Sequence, residues 1–121
     1  MALILVVDDE FGVAEVLDAI LGDVGHEVVT AANGREALDR LKERPPDLVL
    51  LDFMMPVMDG PSVLKAMREA PTLRNIPTVI MSSLPESTVS KSVGSGYAAF
   101  LRKPFKLNAV VDAVNAALGP R

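Results

Sequence analysis

The sequence predicts an α/β fold, a doubly wound five-stranded parallel sheet with helices on both faces. Two observations support this prediction. Short apolar runs of strand length alternate along the chain with segments whose apolar residues recur at three- and four-residue steps, the period of a helix. Glycines and prolines fall between these segments, where the chain must turn. The alternation does not fix the strand order, and we expect 2-1-3-4-5 because it is a common order in such sheets.

The strands are predicted from five runs of mostly aliphatic residues. None of these runs approaches the ~20 residues that a membrane span requires. The fourth run leads into two serines and the fifth into a Lys-Pro pair. The runs are Leu3–Val7, Val28–Thr30, Leu48–Leu51, Thr78–Met81 and Ala98–Arg102.

The first two helices are predicted from periodicity and from a helix-start motif. Asn33 and Glu36 have the spacing of a capping box, so the second helix should begin there. The first helix rests on five apolar residues at helical spacing. They are Val13, Val16, Leu17, Ile20 and Leu21.

The later helices are predicted mainly from residues typical of helix ends. Asp59-Gly60 serves as a turn, and Pro61 suits the first turn of the third helix. The fourth helix should begin near residue 85 or 86 and be short and easily frayed, because its segment is rich in Ser and Thr. The last helix should cover roughly Leu107 to Leu118.

Size and composition limit the class of protein. The 121 residues fit one domain, so we expect a single domain over residues 1–121 without an effector domain. Half of the residues are hydrophobic and none is cysteine, which allows a real core and excludes disulfides and thiolate metal sites. No signal-peptide pattern is present, so we expect a cytoplasmic protein without a membrane partner. The net charge of −4, without a basic cluster, argues against direct nucleic-acid binding.

Polar side chains follow four of the predicted strands at the points where these strands end. Asp8 and Asp9 follow the first strand, Asp52 the third, Ser82 the fourth and Lys103 the fifth. The carboxyl ends of parallel strands meet at one edge of the sheet, where ligands bind. An acid pair, a lone acid, a hydroxyl and an ammonium therefore gather in one pocket, which can hold Mg²⁺ together with a phosphoryl group.

These residues also have plainer interpretations. Asp8 and Asp9, taken alone, could as well cap the first helix. Ser82 could be a strand-end hydroxyl bonded to backbone, and Lys103 a counter-ion for the acids. His26, the only histidine, is interpreted as a surface or packing residue rather than a phosphoryl donor, so a donor should come from another protein.

Four segments together resemble the receiver domain of two-component response regulators. They occur in order and at the family's spacing over the full length of the chain, which makes the resemblance specific. The segments are Val6–Glu10, Asp47–Gly60, Pro77–Ser83 and Phe100–Phe105. The resemblance implies a single receiver domain with the flavodoxin-like (βα)5 fold, and a phosphorylation-activated signalling switch that catalyses only its own phosphorylation and dephosphorylation.

The resemblance also implies a role for each residue of the pocket. Asp52 would be the phosphoacceptor and Lys103 the phosphoryl-binding lysine. Asp9 would bind Mg²⁺ directly, Asp8 mostly through water, and the backbone carbonyl of Met54 would add a ligand. The phosphoryl group would come from a sensor histidine kinase or a histidine phosphotransfer protein.

Two further residues would respond to phosphorylation. Ser82 would be the switch hydroxyl, and Phe100 the switch aromatic that rotates into the space Ser82 vacates. The surface of the fourth helix, last strand and last helix would change as a result and control an unknown downstream protein. A homodimer on activation stays open, because the last strand lacks the acidic residues that precede the aromatic in one dimerising subgroup. The family usually holds the Lys103–Pro104 bond in cis.

Two positions depart from the pattern of many receivers. Met54 lies two residues after Asp52, and Leu84 lies two residues after Ser82. Both are apolar where many receivers carry polar groups. Apolar walls position an attacking water poorly, so we expect slow loss of the phosphoryl group.

Three other functions compete with the switch. The main alternative is a receiver-like scaffold that binds partners without phosphorylation, although every reactive position is filled. A phosphatase of the haloacid dehalogenase type needs a second acid two residues after its nucleophile, where this chain has Met54. A nucleotide-binding protein is disfavoured because no Gly-rich phosphate loop occurs at a strand–helix turn.

Overall fold

Strands and helices alternate regularly through residues 2–119, the part of the chain that the computed structural model describes. The strands are β1 (Leu3–Val7), β2 (Glu27–Ala31), β3 (Leu48–Asp52), β4 (Thr78–Ser82) and β5 (Ala99–Arg102). The helices are α1 (Phe11–Asp23), α2 (Gly34–Glu43), α3 (Gly60–Glu69), α4 (Glu86–Val93) and α5 (Leu107–Leu118). Within this range, no helix is both long and apolar enough to cross a membrane.

The five strands form one parallel sheet in the order β2-β1-β3-β4-β5. The predicted fold class and strand order are therefore confirmed. β2 extends one residue further at each end than its apolar run, and β5 begins one residue later than predicted. Strands β3 and β4 are buried along their whole length, which explains why they appear in the sequence as continuous apolar runs.

The alternation of side chains along each strand divides the core into two layers. In β1, Leu5 and Val7 belong to a cluster with residues of α2, α3 and α4. The intervening Ile4 and Val6 belong to a second cluster with residues of α1 and α5. This period of two places the helices on both faces of the sheet.

The predicted helix-start motifs form, although one hydrogen bond of the capping box goes to a different residue than expected. The Asn33 side chain accepts the backbone N–H of Glu36 at 2.9 Å, as expected for a capping box. The Glu36 carboxylate, however, accepts the N–H of Ala32 at 3.3 Å, one residue before the cap. At α3, Asp59 caps the helix by accepting the N–H of Ser62 at 3.0 Å.

One of the five apolar residues that predicted α1 is exposed. Its buried residues are Ala14, Leu17 and Leu21, whereas Val16 is 49% exposed. Val16 lies on a different side of the helix, where it lines the cleft described below. The helical spacing that predicted α1 therefore did not distinguish its core face from its cleft face.

Candidate functional site

The carboxyl ends of the strands bring the predicted pocket residues together. A cleft of about 630 Å³ at this edge is lined by Asp9, Asp52, Ser82 and Lys103, among others. Asp8, which is 2% exposed, joins the group through its hydrogen bond to Lys103. The structure thus brings the five residues together, and their roles stay predictions.

Backbone hydrogen bonds just past the strands fix these ends side by side. The N–H of Phe53 donates to the carbonyl of Met81 at 2.9 Å, and the N–H of Lys103 donates to the carbonyl of Ser82 at 2.8 Å. The parallel ladder therefore continues beyond Asp52 and up to Lys103. The next peptide bond, Lys103–Pro104, is cis, as the resemblance implied.

Three carboxylates form a compact oxygen cluster in the cleft. Asp8, Asp9 and Asp52 each offer one oxygen, and these atoms lie within 4.8 Å of one another. Asp8 and Asp52 are buried, whereas Asp9 is exposed. A cluster of carboxylate oxygens that is closed at the back and open on one side suits a hard cation such as Mg²⁺, which retains several waters.

Lys103 is shared among three carboxylates. Its Nζ lies 2.8 Å from Asp8 Oδ2, 3.2 Å from Glu10 Oε1 and 3.5 Å from Asp52 Oδ1. Burial alone would lower the pKa of the ammonium, but the hydrogen bond to Asp8 and the charge of Asp52 raise this pKa above its usual value. Lys103 therefore stays charged beside Asp52.

Asp52 carries a strongly perturbed carboxyl group. Burial, followed by the neighbouring charge of Asp8, raises its pKa to about 7, while Lys103 acts in the opposite direction. Without a cation, the cluster thus disfavours the ionised Asp52 that a nucleophile requires. A divalent cation between the carboxylates would offset both effects, which is why the donor set fits Mg²⁺.

Gly60 allows α3 to begin directly against the end of β3. A Cβ atom added at Gly60 would lie 2.5 Å from the carbonyl oxygen of Asp52 and 2.9 Å from Cα of Phe53. The N–H of Gly60 donates to the Phe53 carbonyl at 3.1 Å. The sequence identified Gly60 as part of a turn but not as a residue that fixes the backbone of Asp52.

The β3–α3 loop carries exposed apolar side chains beside the cluster. Met54 is 62% exposed and Val57 is 83% exposed. Val57 has φ 69, an unusual conformation for a β-branched residue. Met58 accepts the N–H of Gly34 at 3.0 Å, which ties the loop to the start of α2. A ligand role for the Met54 carbonyl stays a prediction.

The two predicted switch residues lie near α4. Ser82 is 3% exposed, and its Oγ accepts the N–H of Leu84 at 3.0 Å, the kind of bond that the plainer interpretation expected. Phe100 is half-buried and packs against the core cluster that contains Val89 and Val93 of α4. Their motion on phosphorylation stays a prediction.

Two side chains hold α4 from outside. Arg68 of α3 donates to the carbonyl of Val93 at 2.9 Å and to that of Ser95 at 2.7 Å. At the other end of α4, the Tyr97 hydroxyl donates to Glu86 at 2.8 Å. Neither contact was predicted from the sequence. Arg68 contacts residues that are distant along the chain, and Tyr97 lies in an irregular loop.

Two of the plainer interpretations can now be judged. The N-cap residue of α1 is Glu10, which makes no side-chain capping bond, and Asp8 accepts the N–H of Glu10 at 2.9 Å. Capping of α1 does not therefore explain the acid pair. His26 precedes β2 at the opposite edge of the sheet, where its Nδ1 accepts the N–H of Ala2 at 3.1 Å.

Comparisons with known proteins agree with this geometry. The family described as response regulator receiver domain matches residues 4–115. Sporulation initiation phosphotransferase F of Bacillus subtilis is 37% identical over 116 residues, covering 95% of this chain and 92% of that protein. The chemotaxis protein CheY of the same organism is 36% identical over 117 residues, covering 95% and 96%. The chain belongs to the response regulator receiver domain family.

The solved structures extend the likeness to three dimensions. A putative response regulator from Chloroflexus aurantiacus superposes with a TM-score of 0.90 at 30% identity, covering 97% of each chain. Longer proteins also match: the chain spans 33% of the probable transcriptional regulator ycf27 of Cyanophora paradoxa. The family is thus one of signalling proteins in two-component systems, with or without further domains in its members.

Proposed function

We propose that this chain is a phosphorylation-activated switch whose phosphoacceptor is Asp52. One observation carries the proposal. The Asp52 carboxylate belongs to an oxygen cluster with Asp8 and Asp9 and lies 3.5 Å from the ammonium of Lys103. Attack on a phosphoryl group brings two anions together, and Lys103 together with a cation held by the carboxylates would offset this repulsion.

The residues act as follows in the proposed transfer. An Asp52 oxygen attacks phosphorus, the bond from phosphorus to the donor's histidine nitrogen breaks, and that nitrogen leaves with the electron pair. Asp8, Asp9, Asp52 and the Met54 carbonyl would hold Mg²⁺, which would offset the negative charge of the nucleophile and of the phosphoryl oxygens. Lys103 donates to a phosphoryl oxygen.

The partners follow from the surfaces around the site. Exposed apolar side chains beside the cleft, among them Phe11 (80% exposed) and Leu107 (56%), suit docking of a donor protein. We assign this donor as a sensor histidine kinase or a histidine phosphotransfer protein. Movement of Ser82 and Phe100 would alter the surface of α4, β5 and α5, which controls a downstream protein.

The proposal is tested by intact mass after incubation with acetyl phosphate and Mg²⁺, with Asp52→Asn as the matched variant. We expect one phosphoryl adduct in the wild-type protein only when Mg²⁺ is present, and none in the variant. Beryllofluoride with Mg²⁺ should also shift the backbone amide NMR signals of α4 and β5. Absence of both the adduct and any beryllofluoride response would instead favour the phosphorylation-independent scaffold.

A further inference from the structure

Glu10 occupies a helix position for which its side chain is poorly suited. It is the N-cap residue of α1, yet its carboxylate makes no capping bond. Ser, Thr, Asp and Asn are preferred at this position because their short side chains reach the first free N–H groups of the helix. The local chemistry of α1 therefore does not account for Glu10.

The Glu10 carboxylate instead contacts the lysine of the site. Lys103 Nζ donates to Glu10 Oε1 at 3.2 Å and to Asp8 Oδ2 at 2.8 Å. Both acceptors belong to the segment between β1 and α1. The distance to Asp52 Oδ1 is longer, at 3.5 Å. Two carboxylates thus hold the ammonium on the β1–α1 side of the nucleophile.

The two acceptors differ in how easily they can release the ammonium. The Asp8 side chain is 0% exposed, and its second oxygen is fixed by the N–H of Glu10. The Glu10 side chain is 63% exposed, so it can turn to water at little cost. Lys103 has three donors on a flexible stem and can exchange one acceptor for another.

We propose, building on the switch function proposed above, that Glu10 is a positioning residue which competes with the phosphoryl group on Asp52 for Lys103. In the unphosphorylated protein Glu10 holds the ammonium on the β1–α1 side. Phosphorylation replaces this carboxylate with a phosphoryl oxygen, and Glu10 turns to solvent. The strength of this contact then contributes to the rate of phosphorylation and to the lifetime of the phosphorylated state.

The test compares Glu10→Gln with Glu15→Gln, which makes the same charge change at an exposed residue of α1. With acetyl phosphate and Mg²⁺, Glu10→Gln should be phosphorylated about two- to fivefold faster than wild type and lose the group more slowly by a similar factor, the range of a partly exposed charge pair. Glu15→Gln should match wild type.

A third variant separates positioning from helix stability. Glu10→Ser restores a preferred N-cap residue, so it should raise the melting temperature while changing the phosphorylation rate in the same direction as Glu10→Gln. In addition, the Lys103 ammonium NMR signal of the unphosphorylated, Mg²⁺-free protein should shift in both Glu10 variants and not in Glu15→Gln.

The outcomes are distinguishable. If the wild-type protein takes up no phosphoryl group, the proposed function fails, and the competition fails with it. If wild type is phosphorylated but Glu10→Gln and Glu15→Gln give the same rates and the same Lys103 signal, only the role of Glu10 is overturned. Phosphorylation rates that change in parallel with the melting temperatures of the three variants would also overturn the role of Glu10.

Discussion

Lys103 and Asp8 form the tightest ion pair of the candidate site, with Nζ 2.8 Å from Oδ2 and the Asp8 side chain fully buried. The carboxylate of Asp52, the proposed nucleophile, lies further from the same ammonium, at 3.5 Å. In the unphosphorylated protein the lysine therefore serves first as the counter-ion of a buried acid. The plainer interpretation of Lys103 as a counter-ion is compatible with its proposed phosphoryl-binding role, because both need the lysine at this position.

Replacement of Lys103 by Met should destabilise the protein in the absence of Mg²⁺, because it leaves the buried Asp8 carboxylate without its partner. We expect a loss of about 1–3 kcal/mol in the free energy of unfolding at neutral pH, partly restored by Mg²⁺. Urea unfolding followed by circular dichroism measures this. Lys106→Met, at an exposed position, is the control. Equal losses in the two variants would contradict the prediction.

Asp52 should make stability fall as pH rises, since burial and Asp8 raise its pKa from the usual 3.8 to about 7. The folded protein binds this proton more tightly than the unfolded chain does. The stabilising contribution is present below pH 3.8 and is lost between that pH and about 7. Asp52→Asn should therefore stabilise the Mg²⁺-free protein at pH 8 by about 1–4 kcal/mol and change little at pH 4.

Urea unfolding of wild type and Asp52→Asn in chelator at both pH values decides this point. A variant that gains as much stability at pH 4 as at pH 8 would show that titration of Asp52 is not the cause. Saturating Mg²⁺ should reduce the difference at pH 8, since the cation stabilises the ionised carboxylate of the wild-type protein.

Substitution by alanine should lower the free energy of unfolding at Gly60 and raise it at Gly22. At Gly60 the new Cβ would lie 2.5 Å from the carbonyl oxygen of Asp52, so either α3 or the site must move. We expect a loss of about 1–3 kcal/mol in the free energy of unfolding. At Gly22, within α1, nothing lies within 4 Å of the new Cβ, and alanine should add about 0.5 kcal/mol. A change of the free energy of unfolding in the same direction in both variants would refute this account.

Much of the fold was predictable because its signals are local. The central strands are buried on both faces and therefore appear as unbroken apolar runs, each followed by the polar residue that it delivers to the site. Asn33 and Asp59 mark helix starts through contacts three residues away. The fold class and the gathering of the pocket residues follow from such signals, whereas the strand order was expected only because it is common in such sheets.

The remainder depends on contacts that no local pattern records. Glu10 and Lys103 are 93 residues apart along the chain, and they are close only because β1 and β5 end at the same edge of the sheet. Val16 fits the helical period of α1 but faces the cleft. Gly60 could be identified as a turn residue, whereas the close approach to Asp52 requires the packed structure.

Arg68 should control the stability of α4. Its guanidinium donates to the carbonyls of Val93 and Ser95, and lysine keeps the charge but not the two-donor geometry. Arg68→Lys should therefore speed hydrogen exchange of the α4 amides about three- to tenfold, as expected for the loss of roughly one hydrogen bond. Arg74→Lys, at an exposed position beyond α3, is the control. Unchanged exchange in Arg68→Lys would contradict this role.

Leu84 should slow the loss of the phosphoryl group from Asp52. Leu84 and Met54 line one groove beside the acid cluster, and neither side chain can orient an attacking water. We expect slow hydrolysis in the wild-type protein and an increase of about 3- to 30-fold in Leu84→Glu, less than the ~10²-fold of a well-placed general base.

Intact mass followed over time after removal of acetyl phosphate gives both rates. Val24→Glu is the control, because it places the same carboxylate at an exposed apolar position just after α1 that lines neither the site cleft nor the groove of Leu84. It should leave the hydrolysis rate close to that of wild type. If the wild-type protein hydrolyses fast and Leu84→Glu does not change the rate, then Met54 and Leu84 do not set the lifetime of the phosphoryl group. An equal increase in both variants would assign the effect to net charge, since the two substitutions add the same charge to the protein.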